Sequence, residues 1–290
     1  PRHRVARCAD RDGLGRAIET WIGTNDDNWT QTSTSHANMR RVSATEYDNG
    51  GVGDGNVTGT TLYPDGESSE KNRVTALHYD WRNRLVATEA AVGADDLHAP
   101  IACTIYDNLS QPIEQLAYDR DVVDDTAGLQ DALLAALTDG DGDGTVTYTQ
   151  IASLTGIEEA LRGRVTNAYD PLGRQINSTV HGVQPEYDPS HPGVITGIDN
   201  DYTSVMMTWF AYDGRGNLVW ETAPGKPTAE YVYDGAGRVT AQYVTDDDGG
   251  LPNSVEHDHV LEQVETDYDD NGNAIFVTTR QRYHDYADEG

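Results

Sequence analysis

The residues best placed for chemistry are Asp139, Asp141 and Asp143, followed by Thr145, Thr147 and Gln150. Carboxylates at every second position of one loop can turn their oxygens toward a common centre. Oxygen ligands of that kind suit a hard divalent cation such as Ca2+. Gly144 supplies the sharp turn that lets the loop wrap. Thr145 offers its backbone carbonyl, Thr147 a water-mediated contact, and Gln150 one neutral side-chain oxygen.

Such a loop needs flanking elements to hold it. Asp124-Asp125-Thr126 can cap a helix. Leu129, Leu133, Leu134 and Leu137 then share one helix side, at spacings of four, one and three. Beyond the loop, Ile151, Leu154, Ile157 and Leu161 repeat the pattern, with Gly156 breaking it. This helix, acidic loop, helix layout over residues 121–163 resembles the EF-hand, or dockerin-type, calcium loop. The family takes ligands at loop positions 1, 3, 5, 7, 9 and 12. Here position 12 departs, with Gln150 in place of a bidentate Glu. Losing a charge and a ligand holds the expected Kd to the order of 10⁻⁴–10⁻³ M. The alternative is a decayed loop, an Asp-Gly turn that binds nothing.

The rest of the chain is organised by a different unit, Tyr-Asp, two residues, Gly, then Arg or Asn. It occurs as Tyr169-Asp170-Pro171-Leu172-Gly173-Arg174 and as Tyr212-Asp213-Gly214-Arg215-Gly216-Asn217. It returns as Tyr233-Asp234-Gly235-Ala236-Gly237-Arg238 and as Tyr268-Asp269-Asp270-Asn271-Gly272-Asn273. Degraded copies stand at Asp12–Arg16, which lacks the tyrosine, and at Tyr79–Arg84 and Tyr106–Gln111, which lack the glycine. Tyr47-Asp48-Asn49-Gly50-Gly51 is a looser copy. Strand-forming residues flank each unit, so each reads as a β-hairpin turn. The glycine takes positive φ, the aspartate accepts backbone N–H groups, and the tyrosine ends the incoming strand. One hairpin is marginal in water, so the units must pair side by side. The turn aspartates are 36, 32, 27, 63, 43, 21 and 35 positions apart, and the 63-residue gap holds the helical insert. Tyr118-Asp119 and Tyr187-Asp188 lack the Gly-Arg and read as strand ends.

The repeated unit resembles the Rhs, or YD-repeat, family of bacterial secreted and wall-associated proteins, over nearly all of the chain except the insert. The resemblance implies a mainly β fold of tandem antiparallel hairpins in a curved or spiralling YD-repeat sheet, with a small helical insert. The organisation expected is a β-array over 1–120, the insert over 121–163, and a second β-array over 164–290. The implied work is that of a shell or scaffold in a larger extracellular or cell-surface protein. Its partners would be other domains of the same longer chain. The arginines after the glycine, Arg16, Arg174 and Arg238, pair with neighbouring turns or serve packing.

Composition narrows the classes. Lys and Arg number 20 against 49 Asp and Glu, a net charge of −29. That balance opposes binding to nucleic acid or to anionic membrane surfaces. No apolar run reaches the length of a membrane span. Cys8 and Cys103 fit no metal spacing and read as two thiols or one disulfide. Glu256-His257-Asp258-His259 offers two histidines on one strand face but no third ligand. No Gly-x-Ser-x-Gly, His-Glu-x-x-His or P-loop motif occurs, which opposes a hydrolase. The rival to a scaffold is a module holding cell-surface polysaccharide on Trp21, Trp29, Trp81, Trp209 or Trp220. Calcium titration by isothermal calorimetry should release or absorb heat at millimolar concentration; a flat titration would leave the Asp-Gly turn reading.

Overall fold

The computed structural model describes residues 6–23, 39–51, 53–64, 71–92, 100–138, 145–182, 184–187, 195–199, 205–246, 255 and 258–283. Two compact units divide the chain, residues 1–164 with 183–200, and residues 165–182 with 201–290. The first unit opens with eight strands, β1 (Ala6–Arg11), β2 (Ala17–Gly23), β3 (Met39–Tyr47), β4 (Val57–Leu62), β5 (Arg73–Tyr79), β6 (Leu85–Val92), β7 (Ile101–Tyr106) and β8 (Pro112–Tyr118). Helices α1 (Arg120–Asp125), α2 (Leu129–Leu137), α3 (Tyr148–Ala152) and α4 (Ile157–Ala160) follow. Strand β9 (Leu161–Tyr169) crosses the division and β10 (Gln175–His181) lies beyond it. The ribbon β11 (Gln184–Tyr187) and β12 (Ile195–Asp199) returns to the first unit. The second unit continues with β13 (Val205–Tyr212), β14 (Leu218–Thr222), β15 (Thr228–Tyr233), β16 (Val239–Thr245), β17 (Val260–Tyr268) and β18 (Ala274–Gln281).

Sixteen of the described strands hydrogen-bond in chain order into one antiparallel sheet, with β11 and β12 apart. The fold is mainly β, built of tandem antiparallel hairpins with a helical insert. Just past the turns at Tyr79, Tyr106, Tyr212, Tyr233 and Tyr268 one residue is skipped in the pairing. Ala211 faces Trp220 and Tyr212 faces Leu218, which leaves Val219 as a β-bulge. The same slip leaves out Val86, Ile113, Thr240 and Ile275. A bulge adds local twist and re-aims the side chains beside it.

The main apolar core lies in the first unit, where the helices cover one face of β6–β8. Ala87 faces Cys103, Cys103 faces Leu116, and Ile101 faces Tyr118, so these side chains share that face. Against them pack Val123, Leu129, Leu133, Leu137, Ile151 and Ile157, all buried. The leucine spacing in α2 therefore reports burial, with Leu134 partly covered. Helix starts differ from the sequence expectation. Asp124 and Asp125 lie inside α1, whose cap is Asp119, accepting from Asp121 N. Helix α2 has Gly128 at its N-cap, in the left-handed region, with no side-chain cap. The physical reason is that Asp119 directly follows β8 and is already positioned to receive the N–H of Asp121. Gly156, at φ +87°, separates α3 from α4, and Leu161 starts β9 instead of extending a helix. No helix among the described residues is long and apolar enough to cross a membrane.

Candidate functional site

The hairpin turns share one geometry at Asp12, Asp80, Asp107, Asp170, Asp213, Asp234 and Asp269. The aspartate N–H donates to the carbonyl four residues on at 2.9–3.0 Å, and its own carbonyl accepts from the N–H three residues on at 2.9–3.1 Å. Its Oδ1 accepts two more N–H groups at 2.8–3.0 Å, from the residues two and four positions on. Oδ2 accepts from Arg Nε at 2.6–2.7 Å in four turns, and from Asn217 or Asn273 at 2.8–2.9 Å in two. One short carboxylate thus satisfies the donors of its turn and anchors the cation that follows. The fourth residue takes φ between +62° and +92°. Asn83 and Ser110 hold that conformation where the glycine is missing, so those copies keep the turn at a steric cost.

The looser copy at Asp48 closes further on than Gly50-Gly51. Asp48 N donates to Asn56 O, and its Oδ1 accepts from Gly55 and Asn56. The sequence carried the signal in Gly55-Asn56-Val57, which repeats the Gly-Asn-apolar ending at Gly216-Asn217-Leu218. The same clamp also closes two connections between hairpins. Asp119 N donates to Ala160 O, and Arg162 Nε reaches Asp119 Oδ2, so the insert is fastened at its base. Asp246 binds His259 through backbone and ring at 2.7–3.3 Å. Tyr118-Asp119 is therefore more than a strand end, and His259 has an acid partner.

Successive hairpins are joined at the turns, within each unit. The Arg guanidinium lies over the next tyrosine ring at 4.2 Å for Arg16 on Tyr47, 5.0 Å for Arg84 on Tyr106, 4.9 Å for Arg174 on Tyr212 and 4.6 Å for Arg238 on Tyr268. It also bonds to the next aspartate, at Asp48 Oδ2 by Arg16 and at the backbone carbonyl by Arg84, Arg174 and Arg238. Where Asn217 replaces the arginine, Arg215 reaches forward to Asp234 O and Gly235 O. In return the tyrosine hydroxyl donates to the backbone just past the previous turn. Tyr106 reaches Leu85 O, Tyr212 reaches Gln175 O, Tyr233 reaches Leu218 O and Tyr268 reaches Val239 O, at 2.7–3.1 Å. The arginine therefore serves both its own turn and the next hairpin, and the tyrosine ties its hairpin to the one before.

The calcium candidates fall at the edge of what the structure describes. Asp139, Asp141 and Asp143 lie outside the described residues. Thr147 and Gln150 form a capping box at the start of α3. Gln150 Oε1 accepts from Thr147 N at 2.7 Å and from Thr147 Oγ1 at 3.0 Å. Among the described residues no three His, Cys, Asp or Glu side chains form a metal-ligand group.

The insert meets the sheet through a buried carboxylate that sequence reading missed. Glu89 on β6 lies 2.6 Å from His78, 2.9 Å from Arg120 of α1 and 2.7 Å from Gln130 of α2. Burial pushes its pKa up, but His78, Arg120 and Gln130 outweigh that and hold it below the usual carboxylate range. Its partners lie up to 41 positions away, so no local pattern marks it. Beside it burial pushes the Cys103 thiol up to about 12, which leaves it protonated and unreactive. Neither Cys8 nor Cys103 forms a disulfide.

A cavity of about 460 Å³ in the first unit is lined by Glu19, Ala44, Tyr47, Gly59, Tyr63 and Val74, among others. Its two rings already carry guanidinium groups, Arg16 on Tyr47 and Arg41 on Tyr63. Of the tryptophans, Trp21 is buried, Trp81 and Trp209 are exposed, and Trp29 lies outside the described residues.

No family model and no curated protein matches the chain. Among solved structures it is similar to the crystal structure of TcdB2-TccC3-Cdc42, at 12% identity and TM-score 0.35 over 96% of this chain. Structures of TcdB2-TccC3-TEV and of TcdB2-TccC3 follow, at 13% and 12% identity and TM-scores 0.33 and 0.34. The chain spans only 14–15% of the length of those chains.

The turn carboxylates also set an acid limit. The Arg16 guanidinium holds Asp12 and Asp48 below the usual range. The backbone N–H of Arg174 and of Arg238 does so for Asp170 and Asp234, and the side-chain amides of Asn217 and Asn273 for Asp213 and Asp269. The folded state thus prefers these groups ionised. Their contribution is complete above the ordinary aspartate pKa of about 3.9 and is lost as pH falls through the lower folded values. Denaturant midpoints should stay level from pH 7 to about 5 and fall steeply below about 4. A midpoint unchanged at pH 2 would contradict this origin of stability.

Proposed function

We propose that the chain is a non-catalytic structural segment of a larger extracellular or cell-surface protein of the Rhs/YD-repeat kind. The observation that carries this reading is the two-way join between turns, with arginine reaching forward and tyrosine reaching back. The repeat residues a catalyst would need exposed and available are spent on backbone donors and on neighbouring hairpins. Such a sheet serves to enclose or display other parts of the same protein, and a net charge of −29 keeps it soluble. Weak calcium binding by the Asp139–Gln150 loop would order the end of α2 against the start of α3. Its support is the spacing of the three aspartates.

A glycan array probed with the whole chain separates this from the binding-module alternative. The scaffold reading expects no saturable binding to any polysaccharide. Saturable binding that is lost on Trp81→Ala or Trp209→Ala would replace it.

A further inference from the structure

The cavity in the first unit opens where one strand lacks a side chain. Glu19 faces Ala44, Ala44 faces Thr61, and Thr61 faces Val74 across β2–β5. One step along the same side of the sheet, Glu46 faces Gly59 and Gly59 faces Ala76. Thr58 is skipped in the pairing, so Gly59 holds the place that Ala87, Glu114, Trp220, Ala241 and Phe276 hold in other hairpins. Each of those carries a side chain there. Nothing in the fold calls for glycine at this position. Gly59 is not in the left-handed region, and a Cβ on it would touch only Glu46, at 3.4–3.5 Å. A glycine inside a strand without a conformational or packing reason marks a place where a ligand approaches the backbone closely.

Charge says what kind of ligand fits. The cavity is lined by Asp12, Glu19 and Glu46 against Arg16. Arg16 is taken up by Asp12 and Asp48, at 2.7 and 3.0 Å. Glu19 accepts from Arg41 at 2.7 Å and from Trp21 Nε1 at 3.1 Å. Glu46 is exposed and has no hydrogen-bond or ion-pair partner among the described residues. An anion would be repelled by it, and a neutral guest would leave it unpaired. A divalent calcium ion takes roughly six to eight oxygens, and one free carboxylate is too few. A single ammonium group needs only one. Ala44, Val74 and the rings of Tyr47 and Tyr63 supply apolar surface for a hydrocarbon stem.

We propose that this cavity binds an aliphatic primary amine, with its ammonium on the Glu46 carboxylate and its stem over Ala44, Gly59 and Val74. A free diamine and a lysine side chain share that chemistry. The volume of about 460 Å³ admits either. The site goes beyond the scaffold reading and does not depend on it.

The test titrates the isotope-labelled full chain with cadaverine and follows amide chemical shifts. The expected result is saturable shifts centred on Glu46, Gly59, Thr61 and Val74. Pentanol and glutarate, of the same length without the cation, should bind about tenfold more weakly or not at all, as should cadaverine to Glu46→Gln. Gly59→Val fills the floor with a residue that suits a strand. It should abolish the saturable shifts while the denaturant midpoint stays level or rises. Nα-acetyl-lysine methylamide binding as well as cadaverine would assign the cavity to a lysine of a protein partner; cadaverine binding alone would assign it to a free amine. Shifts that spread over the acidic surface without saturating would mark the amine as a counterion to a net charge of −29 and overturn the proposal. Saturable binding indifferent to both substitutions would overturn it, as would pentanol or glutarate binding as tightly as cadaverine.

Discussion

The structure depends on one carboxylate doing several jobs at once. In seven turns the aspartate accepts two backbone N–H groups on one oxygen, and in six of them a cationic or amide side chain on the other. Without it, a five-residue reversal would leave donors unpaired at the end of every hairpin. With it, the following arginine is oriented by its own aspartate before it touches the next hairpin. The turn therefore prepays part of the side-chain ordering that a contact between neighbours requires.

Chained contacts of this kind explain how a polar sequence holds a long sheet. The buried apolar core is concentrated under the helices of the first unit, around Ile101, Leu133 and Ile157. Elsewhere the described strands bury few large side chains, and cation–ring and hydroxyl–carbonyl contacts recur instead. Isolated surface ion pairs contribute little. These are different, because each arginine is held at two or three points and shields a ring. The insert follows another logic, with Glu89 as a buried polar tie between β6 and two helices.

The sequence revealed the turns because their chemistry is local. In the seven regular turns the aspartate side chain accepts from the N–H groups two and four residues on, so its partners appear at fixed offsets. The glycine requirement was less strict than the motif suggested, since Asn83 and Ser110 tolerate positive φ. At Asp48 the same clamp spans a longer loop, which hid Gly55-Asn56 from a fixed-spacing reading. Asp119 and Arg162 repeat the clamp 43 positions apart, beyond any local pattern. The forward reach of Arg174 to Asp213 covers 39 positions and was equally invisible before the strands were paired.

The central claim is that arginine and tyrosine of successive hairpins act as a pair. A double-mutant cycle with Arg238→Ala and Tyr268→Leu, read by denaturant unfolding, tests it most directly. The account predicts a favourable coupling of about 0.5–1 kcal/mol, as expected for a guanidinium on a partly buried ring. Additive single-mutant effects, with no coupling beyond about 0.3 kcal/mol, would contradict it.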